Sequence, residues 1–132
     1  MENRRQTYRH AFESREILRA DLHRPGQRAV LSGDVLDLSL GGLRIRLRQV
    51  VGTLGIGDSL VTRLLGRDAP TPAKLNLTLP SQVVSLLRSG DEWHCGLRFL
   101  PIADSRAHED IERTLSRFLL DEQRRRRRKD AG

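Results

Sequence analysis

Cysteine occurs once in the 132 residues, as Cys95, which excludes an internal disulfide and agrees with a reducing compartment. No apolar run is long enough to cross a bilayer, and no charged-then-apolar leader opens the sequence. Neither secretion nor a membrane span is therefore expected, and a cytoplasmic location is. Aromatic residues make up only 4%, so the core must be built from Leu, Val and Ile. The four histidines, His10, His23, His94 and His108, are scattered without metal-ligand spacing. Gly52, Gly55 and Gly57 are spaced glycines with no Lys-Ser or Lys-Thr after them, which argues for a turn and against a phosphate loop. With no CxxC pair, no paired general acid and base and no activated nucleophile, the sequence does not read as an enzyme.

Charge is plentiful but localised. The run that starts at Arg124 and closes on Lys129 contributes six of the net +7, so the body of the chain is nearly neutral. A domain-wide nucleic-acid surface is thereby disfavoured. The run itself has two readings: a solvated helix end, or a contact for nucleic acid, an acidic surface or an acidic partner protein.

A chain of this length fits one domain with its own core. Residues 1–12 read as a polar, arginine-rich arm without helical or strand periodicity. Strand-like segments follow at 15–22, 28–38, 43–47, 59–64, 74–79, 82–87 and 92–100, separated by Pro25-Gly26, Gly41-Gly42, Gly66, Pro70, Pro72, Pro80 and Gly90. Leu43, Ile45 and Leu47 alternate with arginines, as a half-buried strand requires. Such punctuation predicts a mainly β protein, an antiparallel barrel of six or seven strands over 13–103. From Asp104 the period changes. Ile111, Leu115, Phe118 and Leu119 form the stripe of an amphipathic helix over 104–132, capped by Asp104 or Ser105 and packed on the barrel. Asp110 and Glu112 lie early in it and the basic run late, as the helix dipole favours.

Two short motifs carry the chemistry. Arg5 and Arg9 stand four apart, with Arg4 beside them, and each is a planar fork suited to phosphate or to the O6 and N7 edge of guanine. Asp37, Ser39 and the pair Gly41-Gly42 lie about thirty residues on. Asp37 and Ser39 share a strand face, and the carboxylate can accept from the N1–H and N2–H₂ donors of guanine. The glycines are expected to supply a positive-φ turn and bare backbone that a ligand can approach. Each motif alone has a plain reading: a solvated basic arm, and a strand end in an Asx-type turn. A carboxylate repels phosphate, so arginines together with an aspartate point to an anionic ligand that also bears guanine.

Arg5-to-Arg9 followed by Asp37, Ser39 and Gly42 resembles the PilZ signature, RxxxR then (D/N)x(S/A)xxG. Leu43 to Leu47 looks like the strand that follows the family's glycine turn, and Cys95, Gly96, Leu97, Arg98 and Phe99 like the close of its last barrel strand. The stretch 50–72 is longer than a minimal barrel of that family needs. The resemblance implies a receptor for cyclic di-GMP, with no other cofactor. The arm would fold over the nucleotide and expose a new docking surface for a downstream partner protein. Arg4, Arg5, Arg9, Asp37, Ser39, Gly41, Gly42 and Arg44 would hold the ligand, Arg4 offering a guanidinium for a second, stacked copy. Two other classes stay open: a nucleotide-independent interaction scaffold, and a nucleic-acid-binding protein acting through the arginine run.

Overall fold

The computed structural model describes residues 9–11, 18–28, 31–48, 54–66 and 75–131; for 9–11 and 125–131 the description is of backbone alone. Seven strands precede one helix: β1 (Arg9–Ala11), β2 (Leu18–His23), β3 (Leu31–Ser39), β4 (Gly42–Leu47), β5 (Ser59–Gly66), β6 (Asn76–Ser89), β7 (Glu92–Phe99) and α1 (Ser105–Ala131). The order β3-β2-β5-β6-β7-β4 closes through a β3–β4 pairing, so six antiparallel strands form the barrel. β1 is an addition along residues 37–39 of β3, past the stretch that pairs with β2. It lies within the segment read as lacking strand periodicity, which three residues are too few to display.

Period-two alternation sets which side chains fill the barrel. Leu18, Ala20 and Leu22 of β2, Ile45 and Leu47 of β4, Leu60 and Leu64 of β5, and Cys95 and Leu97 of β7 are all buried. Burying a leucine of this kind stabilises the fold by roughly 1.5–3 kcal/mol. Thr62 and Ser81 are the polar members of the interior, and the Ser81 hydroxyl donates to the Leu79 carbonyl at 3.3 Å.

One expected break is absent. Pro80 separates two expected strands, yet β6 runs unbroken through it for 14 residues. Its first half pairs with β5 and its second with β7. A residue's N–H and C=O point to the same side of a strand, and the Pro80 carbonyl accepts from Leu100 N–H at 2.8 Å, one residue past the end of β7. The missing donor thus falls where the ladder runs out, the position in which proline is tolerated.

α1 begins where sequence placed it. The Asp104 carboxylate accepts from the N–H groups of Arg106 and Ala107 at 3.0 and 3.2 Å, which makes Asp104 and not Ser105 the cap. The first turn holds no acidic residue, so Asp110 and Glu112 come too late to serve the dipole there. Leu115, Phe118 and Leu119 are buried, Ile111 partly so, and the helix lies against β1.

Candidate functional site

A β-bulge builds the centre of the site. Gly33 and Val35 face the interior, and strict alternation would send Asp37 and Ser39 after them. The register instead shifts between Val35 and Asp37: Val35 sits opposite Ile45, Asp37 opposite Arg44, and Leu38 opposite Leu43. Leu38 therefore enters the core, fully buried, while Asp37 and Ser39 turn to the outer face of the barrel. The signal was present in sequence as two polar residues on the inward phase of Val35.

Asp37 is buried nonetheless, with 5% of its side chain exposed, and its Oδ2 forms an ion pair with Arg44 Nη2 at 3.0 Å. Arg44 is half exposed, so its guanidinium reaches solvent while its tip meets the carboxylate. Ser39 ties the turn together. Its Oγ accepts from Gly41 N–H at 3.2 Å and donates to the Gly42 carbonyl at 3.3 Å. The Gly41 carbonyl in turn accepts from Phe99 N–H at 2.9 Å, fastening the turn to the end of β7.

The two glycines do different work, and neither supplies the positive φ expected. Positive φ occurs at Gly26, Gly57 and Gly90, not at Gly41 or Gly42. Gly42 is constrained by space instead: a Cβ there would collide with the Leu97 carbonyl oxygen and meet Arg98 Cα at 3.2 Å. Gly41 has room, its nearest atom being Ser39 Oγ at 4.0 Å. Leu40, between Ser39 and Gly41, is exposed and lines a cleft of about 230 Å³ with Leu79, Phe99, Ile111 and Leu115. The turn and the first turns of α1 thus share one apolar wall.

The arm meets this site through the backbone. β1 pairs antiparallel with the end of β3, Arg9 opposite Ser39, His10 opposite Leu38 and Ala11 opposite Asp37. Directly opposed strands lie about 4.8 Å apart, so the second arginine of the motif starts beside the serine of the other motif. Arg4 and Arg5 fall outside the described residues, as does most of the arm. Sequence reasoning brought together Asp37, Ser39, Gly41 and Gly42. It missed the bulge, the Asp37–Arg44 pair and the position of Leu40.

Other residues of distinctive chemistry lie apart from the site. Trp93 lies at the far end of β7, opposite Leu47 and Arg88, with the Arg88 guanidinium 5.8 Å from its ring centroid. Cys95 is enclosed by the core, and burial pushes its thiol up to about 11, which suits a packing residue and not a nucleophile. Asp58 braces the 55–58 turn, accepting from Gly55 N–H at 2.7 Å and from Arg24 Nη2 at 2.9 Å; those bonds hold its carboxyl below the usual range. Among the described residues no group of His, Cys, Asp and Glu could hold a metal ion.

A closed six-stranded barrel with a polar turn on its outer face, an added N-terminal strand and a C-terminal helix defines a small β module. A family model for the PilZ domain matches residues 3–120, and the chain belongs to that family. Among solved structures it is similar to YcgR of Escherichia coli in complex with c-di-GMP, with 20% identity and a TM-score of 0.72 over 97% of this chain and 50% of that one. The PilZ domain of the same protein with c-di-GMP gives 19% and 0.71, covering 97% and 98%. The MrkH–c-di-GMP complex of K. pneumonia gives 18% and 0.75, covering 96% and 54%. This chain spans about half the length of the longer YcgR and MrkH chains, and at such identities the likeness is one of fold. Comparison with curated proteins gives no match.

Proposed function

We propose that this chain is a receptor for cyclic di-GMP that passes the binding event to a partner protein. The observation that carries this reading is the register of β1 on β3, which brings Arg9 opposite Ser39 and Ala11 opposite Asp37. Residues of two motifs some thirty positions apart are thereby brought to one seam. The ligand has two phosphate charges and two guanines. Asp37 accepts from the N1–H and N2–H₂ edge of one guanine. Arg5 and Arg9 take phosphate or the O6 and N7 edge, and Arg4 offers a guanidinium to a second, stacked copy. Gly41 leaves bare backbone for the base, and Arg44 moves from carboxylate to ligand as the nucleotide enters. The chain binds and releases the nucleotide unchanged, with no catalysis and no further cofactor.

The receptor reading gives each of three segments its own role: an arm over 1–12, the barrel over 13–103, and the helix with its basic tail over 104–132. Ligand orders the arm across the seam, and the new surface is what the partner reads. Among the described residues no helix is long and apolar enough to cross a membrane; the receptor is proposed to work in the cytoplasm. The YcgR and MrkH structures, solved with c-di-GMP on the same fold, support this reading.

One observation favours a second reading, a scaffold indifferent to nucleotide. Asp37 is already engaged by Arg44, and the Ser39 hydroxyl is committed to its turn. An amide-resolved titration with cyclic di-GMP separates the two. A receptor shifts the signals of Arg9–Ala11, Asp37 and residues 39–44, and leaves the 55–58 turn unmoved. A scaffold shows no saturable change anywhere.

A further inference from the structure

We infer that the C-terminal end of α1 is a docking element for the phosphate backbone of duplex nucleic acid, a site separate from the nucleotide seam. Among the helix residues whose burial is described, which end at Arg124, Leu119 and Glu122 are the last to be buried and Arg124 is exposed, and the backbone stays helical to Ala131. Helical backbone through 124–129 presents the basic run as a rod. Residues 124–129 are five arginines and a lysine, so one cation recurs at each helical rise of about 1.5 Å. A duplex carries one phosphate charge per roughly 1.7 Å of axis, a close match in linear charge density. Successive residues step about 100° around the axis, so the six positions are spread around the helix.

The same segment argues against the other anionic surfaces. A helix that lies in a membrane interface needs an apolar face beside its charges, and residues 121–131 read DEQRRRRRKDA, with a single alanine. Single strands are held by stacking on aromatic side chains, and the segment has none. No side chain in 124–129 is an amide or hydroxyl of the kind that commonly reads base edges alongside arginine. Against a membrane interface, a single strand and base readout, the segment favours phosphate recognition without sequence preference.

The test uses the full chain and a labelled DNA duplex of arbitrary sequence, followed by fluorescence anisotropy across a salt series. With up to six phosphates neutralised, log K falls against log salt with a slope of about −3 to −5. Two unrelated sequences bind within about twofold of each other. R124Q, R126Q and R128Q combined flatten the slope by about 2.7, three contacts at roughly 0.9 each. A chain ending at Gln123 keeps the buried Leu115, Phe118, Leu119 and Glu122 and loses duplex binding, while its cyclic di-GMP titration stays that of the full chain; failure of the receptor reading is thus seen separately. The inference is overturned by duplex binding that survives this truncation, or by a slope shallower than about −1. It is also overturned if phosphatidylserine vesicles are bound when duplex at equal phosphate concentration is not.

Discussion

Gly42→Ala is expected to damage the fold where Gly41→Ala does not, although both glycines lie outside the positive-φ region. At Gly42 the new methyl would collide with the carbonyl oxygen of Leu97, with Leu97 C and Arg98 Cα each at 3.2 Å. These are backbone atoms of the paired strand, so no rotamer change relieves the contact. β4 and β7 must separate where Gly42 pairs with Arg98, and the adjacent bond from Phe99 N–H to the Gly41 carbonyl is strained with them. Overpacking a well-packed site costs about 1–3 kcal/mol. With a rigid obstacle the upper end applies, about 3 kcal/mol, or a fall in Tm of about 10 °C for a domain of this size. Gly41→Ala meets nothing nearer than Ser39 Oγ at 4.0 Å, and its stability should stay within about 0.5 kcal/mol of the parent or rise slightly. Urea unfolding of both variants measures the difference. Gly42→Ala within about 1 kcal/mol of the parent by that assay, against the expected ~3, would refute the steric reasoning, as would a Gly41→Ala less stable than Gly42→Ala. If Gly41 serves ligand approach, Gly41→Ala also weakens cyclic di-GMP binding at unchanged Tm.

Asp104→Ala removes the carboxylate that accepts from Arg106 and Ala107 N–H; denaturant unfolding should show a loss of about 1 kcal/mol. The buried Cys95 thiol, pushed to about 11 from 9.0, should resist alkylation at pH 8, with ionisation alone slowing it about a hundredfold relative to the unfolded chain. Since the raised value belongs to the folded state, its stabilising effect is complete below pH 9 and is lost between pH 9 and about 11, where the unfolded thiol ionises first. Asp58 has the opposite sign: its depressed carboxyl supports the 55–58 turn at neutral pH and ceases to do so as pH falls below 3.8 through the folded value. Amide exchange at Gly55, whose N–H meets that carboxylate, should accelerate over this acid range and not above it.

Alternation made much of the barrel legible in advance. Leu43, Ile45 and Leu47 face inward as their spacing requires, and the stripe Leu115, Phe118 and Leu119 packs as a helix face should. Elsewhere the structure depends on pairing, which a single sequence does not display. Pro80 reads as a break because the rule concerns a lost donor, and only the end of β7 reveals that no donor was needed there. The bulge between Val35 and Asp37 moves Asp37 outward against its alternation, and the polar pair Asp37 and Ser39 on the core phase was its trace. Gly42 was legible as a required glycine but for the wrong cause, because a clash with Leu97 depends on the approach of β7. Arg44 entered as a candidate by proximity to the glycines; its carboxylate contact follows from the β3–β4 register. For Arg4 and Arg5 the reading still rests on sequence and family, and they remain part of the proposed site.

Calorimetric titration with cyclic di-GMP tests the central claim most directly, with Asp37→Ala and Arg5→Ala beside the parent chain and GTP as the specificity control. The receptor reading predicts saturable heat for the parent, its loss in both variants, none with GTP, and a stoichiometry that distinguishes a single nucleotide from a stacked pair. No heat with the folded parent at high ligand, or heat undiminished in both variants, would contradict it.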